Sequence, residues 1–212
     1  MKTGDLIEAI AADAGAEPKR PAPALMLALG GSAVAAGALF FAALGPRPDI
    51  AAALGTMRFP FKFVVTLAFG LAAVALALRL ARPGAAIGPA AGFLFGAAAL
   101  LAVAVGFELA TIPSNAWEPR LVGRNATLCL ASIPLLSAPP LTLILAALGR
   151  GAPDRPAALG AAAGLLAGAV GATFYAAHCV DDSPLFVAVW YTLAVGLVTI
   201  AGAAIGSRVL KW

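Results

Sequence analysis

Residues 88–110 read GPAAGFLFGAAALLAVAVGFELA and hold a single charge, Glu108. A surface helix of a water-soluble domain needs a polar face, and this stretch has none. Its length matches the roughly 20 residues that carry a helix across a hydrocarbon core about 30 Å thick. Five more runs of this kind occur, so that six are read in all, over 24–45, 59–81, 88–110, 125–148, 157–179 and 185–208. Ala and Gly dominate several of them, small side chains that let helices approach closely in lipid. No run alternates apolar and polar residues, which argues against an outer-membrane barrel. The expected fold class is all-α: a polytopic membrane protein with a bundle of six transmembrane helices and a short N-terminal amphipathic helix.

Composition agrees with that reading. The 212-residue chain is 62% hydrophobic and 11% charged, with a mean hydropathy of +0.96. A soluble domain keeps roughly 25% charged residues. The first run is about 20 residues long, longer than the roughly 7–15 of a secretory signal, and is kept as a span. Six spans put both termini on one side. A start on the inside places Lys2, Lys19, Arg20, Arg79, Arg82, Arg150, Arg155, Arg208 and Lys211 there, nine basic residues against Arg47, Arg58, Lys62, Arg120 and Arg124 opposite. The positive-inside bias therefore puts both termini in the cytoplasm. Residues 1–20 then form a cytoplasmic tail and residues 21–212 the transmembrane domain. A net charge of +4 suits anionic headgroups better than nucleic acid, with which no direct contact is expected.

The densest polar cluster is YAAHCVDDSPLFVAVWY, residues 175–191, with the only histidine, one of two cysteines and an aspartate pair. The topology places His178 and Cys179 at the outer end of the fifth span, and Asp181 and Asp182 in the outer turn. Asp182 or Ser183 would cap the sixth span, with Pro184 at its first position. Cys129, in NATLCLASIP, falls about one turn below the same outer surface. Three readings stay open: cysteines as small hydrophobes with His178 at an interface, a thiol pair that senses oxidant or forms a disulfide, and a metal site. The metal site would use Cys129, Cys179 and His178, with Asp181 or Asp182, and suit zinc, copper or cadmium.

Other polar groups fall at the same level. A Glu108–Lys62 pair is geometrically possible, although a lysine near a helix end more often snorkels outward. Trp117, Trp190, Tyr191 and Trp212 suit an interfacial aromatic belt. Pro134, Pro139 and Pro140 are expected to kink or unwind the fourth span. The chain carries no nucleophile–base pair and no phosphate-binding glycine loop, so no enzymatic activity is expected.

The opening MKTGDLIEAIAADAGAEPKR reads as a short amphipathic helix. Thr3 is its N-cap, Leu6, Ile7, Ile10 and Ala14 form an apolar stripe, and Gly15 and Pro18 end it. Asp5, Glu8 and Asp13 lie off the stripe. An acidic helix of this length is marginal alone and fits a partner's groove better than anionic lipid.

MKTGDLIEAIAADAG, FPFKF at the start of the second span, RPG after it, HCVDDSPLFVAVWY and terminal GSRVLKW together resemble the NrsF family of membrane-bound anti-sigma factors. The resemblance runs from residue 1 to 212. It implies an inner-membrane protein that holds an extracytoplasmic-function (ECF) sigma factor inactive until an envelope stress arrives. It also implies that Cys129 and Cys179 take part in sensing or in the inhibitory state; the tail, which keeps the motif Asp5-Leu6-Ile7, would bind the sigma factor through Asp5, Leu6, Ile7, Glu8 and Ile10. His178, Asp181 and Asp182 would join the sensing site; no cofactor is expected beyond a regulatory metal ion. The competing expectation is a small transporter or metal-efflux subunit with a Cys/His ion site.

Overall fold

A computed structural model describes residues 3–13, 21–151 and 153–211. The expected stop at Gly15 and Pro18, the Trp212 belt position and the cations Lys2, Lys19 and Arg20 lie outside the described residues, as do the side chains of Leu6 and Ile10. Among the described residues the helices are α1 (Thr3–Asp13), α2 (Pro21–Ala43), α3 (Ile50–Leu54), α4 (Arg58–Leu80), α5 (Gly88–Thr111), α6 (Trp117–Val122), α7 (Ala126–Leu148), α8 (Pro156–Ala176) and α9 (Pro184–Val209). No strand occurs among them. Six of these helices, 21 to 26 residues each, are long and apolar enough to cross a membrane. At 1.5 Å per residue they span roughly 30–40 Å, enough for a hydrocarbon core.

Glycine decides how the bundle closes. α8 is the central helix and packs on α9, α4, α7 and α2. A methyl group at Gly160 would strike the backbone of Gly202, and one at Gly164 the backbone of Val198 and Thr199. α8 and α9 therefore touch main chain to main chain, an approach that only small residues allow. α5 is the outermost span. It packs mainly on α4 and leaves Phe93, Phe95, Val103 and Phe107 exposed.

Two apolar clusters stack along the bundle axis. The proximal one, at the end where α2 begins, gathers Leu25, Leu80, Ile144, Leu148, Leu159 and Leu210. The distal one, at the opposite end, gathers Phe40, Cys129, Ile133, Tyr175, Cys179, Phe186 and Tyr191.

Three expectations are corrected and one, that the prolines kink or unwind the fourth span, is narrowed. α8 stops at Ala176, three residues before Cys179, and residues 177–183 run as a strap across the distal end. α7 does not unwind at its prolines but runs unbroken from Ala126 to Leu148. Each proline withdraws one helical N–H, and Ser137 Oγ donates back to Ile133 O at 2.6 Å within the same segment. Tyr191 is no belt residue, because only 3% of it is exposed and it lies in the distal core. Lys62 does not snorkel: it is fully buried. The sixth span also opens with a feature that no sequence pattern announced, a π-helical turn over Val187–Tyr191.

Candidate functional site

The strap is held by several elements, and every residue of the polar cluster has a partner. His178 Nδ1 lies 2.9 Å from the carbonyl of Gly45, which makes that nitrogen the protonated one. Arg47 N donates to Ala177 O at 3.0 Å. The segment just after α2 is thereby stitched to the strap through backbone and ring.

Two cations grip the strap's middle. Lys62 Nζ donates to Cys179 O at 2.8 Å and pairs with Asp182 Oδ1 at 2.6 Å. Arg47 Nη1 lies 2.9 Å from Asp182 Oδ2 and 3.3 Å from Cys179 O, while its other nitrogens hold Asp49 at 2.7 and 2.8 Å. Both cations also lie over the Phe59 ring, at 5.5 Å for Arg47 and 5.2 Å for Lys62. A lysine without solvent contact is tolerable only when opposite charge and acceptors replace its hydration. Lys62 has one carboxylate, one carbonyl and one aromatic face.

Asp181 and Glu108 finish two helix starts. Asp181 accepts from the backbone N–H groups of Arg124 and Asn125, at 3.1 and 2.9 Å, and from Asn125 Nδ2 at 3.0 Å. It thus satisfies donors just ahead of α7 that would otherwise be orphaned. Ser183 caps α9 and accepts from Leu185 N at 3.2 Å, with Pro184 at the first helical position as the sequence suggested. Behind it Glu108, 2% exposed, accepts from Ser183 Oγ at 2.6 Å and from Leu185 N at 3.3 Å. Its other oxygen pairs with Arg120 at 2.8 Å and Arg58 at 3.3 Å. The Glu108–Lys62 pairing is not formed: each has a different partner.

The two cysteines are free, fully buried and members of one cluster with Tyr175 and Tyr191. Tyr175 Oη donates to Asn125 O at 3.4 Å. The buried Tyr191 hydroxyl has no hydrogen-bond partner of good geometry and lies beside the Cys179 sulfur. Cys179 Sγ donates to Asp181 O at 3.8 Å. Burial pushes the Cys179 thiol above its ordinary pKa, against the opposing pull of Lys62. A thiol kept protonated is a poor nucleophile and a poor metal ligand while the strap is closed. Among the described residues no three His, Cys, Asp or Glu side chains converge as a metal site would require. Of the suggested ligands, His178 is spent on Gly45 and the two aspartates on cations and amides. At the strap's edge Arg47 is raised, first by its bond to Asp49, and Asp49 is lowered by Arg47 in turn.

Sequence reasoning therefore found the cluster and missed what holds it. Arg47, Arg58 and Arg120 had no periodic signature. Glu108 and Lys62 did carry a signal, as isolated charges inside apolar runs. In the tail, α1 is helical, and Asp5, Ile7 and Glu8 are exposed on it.

Comparison with known proteins covers the whole chain. The family described as NrsF, negative regulator of sigma F, matches residues 10–212. A Caulobacter vibrioides protein named anti-sigma-F factor NrsF is 38% identical over 219 residues, with 100% of both chains covered. An Azospira oryzae protein named probable anti-sigma-F factor NrsF is 36% identical over 223 residues, again with 100% of both. No solved structure matches.

Proposed function

The chain belongs to the NrsF family, and from that premise we propose that it is a membrane-embedded anti-sigma factor whose tail sequesters an ECF-type sigma factor. The observation that carries this reading is similarity over the full length of relatives that are named for the activity. Residues 1–20 act as the cytoplasmic recognition element, and Asp5, Leu6, Ile7, Glu8 and Ile10 supply its contacts. Residues 21–212 are the six-span inner-membrane domain, with both termini in the cytoplasm and the strap on the periplasmic side. The role is regulatory, and no reaction is assigned to the chain.

The distal site supports a sensing function. Cys129 and Cys179 share one buried cluster beneath the strap, where oxidation or a soft metal ion would need the strap to open. Tyr175, Tyr191 and Phe186 pack in the same cluster, so a change at either sulfur would disturb that packing. His178, Asp181 and Asp182 act here by holding the closed state. The path to the tail is short, because Gly45 and Arg47, which hold the strap, directly follow α2, and α2 begins where the tail ends. A shift of that helix changes how the tail is presented. A tenfold change in partner affinity takes only about 1.4 kcal/mol of difference between the two states.

Deleting residues 1–17 tests the core of the proposal. A sigma-dependent reporter should switch on without stress, and the co-purifying sigma factor should be lost. A reporter that stays silent overturns it, and transport activity that survives the deletion would favour the efflux reading instead.

A further inference from the structure

An open cleft of about 630 Å³ lies at the distal end, walled in part by Met57, Arg58, Arg120, Asp181, Asp182 and Ser183. Its charges are sorted by position. Arg58 and Arg120 direct their ion pairs at one oxygen, Glu108 Oε1. A guanidinium has five N–H donors, and these side chains are 47% and 34% exposed, so most of their donors remain available at the cleft. Asp181 accepts only amide N–H bonds, from Arg124 and Asn125. No lysine or arginine pairs with it among the described residues. Asp182, by contrast, is neutralised by Arg47 and Lys62.

The cleft thus offers two cationic forks and a carboxylate with no ion-pair partner among the described residues. Bidentate guanidinium groups suit phosphate oxygens, and an unpaired carboxylate suits an ammonium with N–H donors. Met57, 91% exposed, adds an apolar lip. The cleft sits where α4 begins and α5 ends, the level at which hydrocarbon gives way to headgroups if the six helices span a bilayer. We propose that it binds the headgroup of phosphatidylethanolamine from the adjoining leaflet, with the phosphate on Arg58 and Arg120 and the ammonium on Asp181. Phosphatidylglycerol would satisfy the arginines and leave Asp181 unpaired. Phosphatidylcholine would bring a cation without N–H donors. Free phosphate would meet the arginines but be repelled by Asp181. The headgroup draws on the same arginines that hold Glu108, so its binding is coupled to the cap of α9.

The test uses the full chain in detergent and reads lipid adducts by native mass spectrometry, independent of any sigma factor. Wild-type protein should retain phosphatidylethanolamine over phosphatidylglycerol and phosphatidylcholine by roughly threefold or more, equal to about 0.65 kcal/mol and in the range of a half-exposed ion pair. Arg58→Gln should weaken both phosphatidylethanolamine and phosphatidylglycerol. Asp181→Asn should abolish the preference between those two lipids. Equal retention of all three lipids by the wild type overturns the proposal, as does retention unchanged in Arg58→Gln, which marks unspecific lipid. Displacement of phosphatidylethanolamine by inorganic phosphate also overturns it, by showing a site for free anions. The comparison of lipids on the wild type keeps the test decisive should Asp181→Asn fail to fold.

Discussion

Lys62 shows how one side chain can set the state of a site it was not expected to join. Its ammonium is buried between Cys179 O and Asp182, and breaking a buried pair costs about 3–5 kcal/mol. Arg47 stays on Asp182, so Lys62→Met should weaken the strap without unfolding the bundle. In a Cys129→Ser background, maleimide labelling of Cys179 should then rise roughly tenfold or more, the effect of about 1.4 kcal/mol. An unchanged rate would show that Lys62 does not keep the strap shut. Alkaline pH probes the Cys179 thiol. Burial raises the folded thiol's pKa, so the folded chain holds this proton more tightly than the unfolded one. The resulting stability is complete below the ordinary thiol value of about 8.5 and is lost as pH rises toward the raised value. Melting temperature in detergent should fall over that window, and fall less in Cys179→Ser. The cluster itself was legible, because four polar residues together stand out in an apolar chain. Its grip was not, because Arg47 and Asp182 are 135 positions apart and only the folded bundle brings them together.

At the scale of elements, run length and composition placed the six long apolar helices to within a few residues, because polar and turn-forming residues bound each apolar run. The end of α8 was misjudged for a definite reason. Ala177, His178 and Cys179 are as compatible with helix as with strap, and the choice falls to the cations that hold Cys179 O. Gly123 shows a further constraint that a single sequence does not announce. Its φ is +61°, and a side-chain carbon there would run into Phe186 and Asp181. Gly123→Ala should therefore cost more than about 2 kcal/mol from backbone strain and overpacking together. Gly92 in α5 meets nothing within 4 Å, and Gly92→Ala should gain about 0.5–1 kcal/mol of helix propensity. Thermal melting of both variants in one detergent decides the matter; equal melting points would remove the special role of Gly123.

For the whole molecule, the question is whether the two ends communicate. α2 is the element that joins them, with the tail before it and Gly45 and Arg47 after it. Arg47→Met should leave basal repression of a sigma-dependent reporter intact and blunt its induction by stress, since the tail is unchanged and the strap loses its side-chain tie to the segment after α2. Cys129→Ser, Cys179→Ser and the double variant should disturb induction alike if the thiols act together. Additive effects would assign them separate packing roles. The all-helical architecture was readable from periodicity and length. The distal network was not, because composition records how many charges a chain keeps but not which of them share a pocket.

The π turn at Val187–Tyr191 carries one residue more than an α-helix would fit into the same stretch. Removing Ala188 would let the helix heal into a regular winding and leave the glycine contact between Gly160 and Gly202 where it is. Everything upstream would keep its direction, because the extra residue is absorbed inside the turn and adds nothing to the rotation of the helix. Ser183 would stay on Glu108, and the loss would fall on the turn itself, where the surplus residue shapes the packing of buried Val187 and Tyr191.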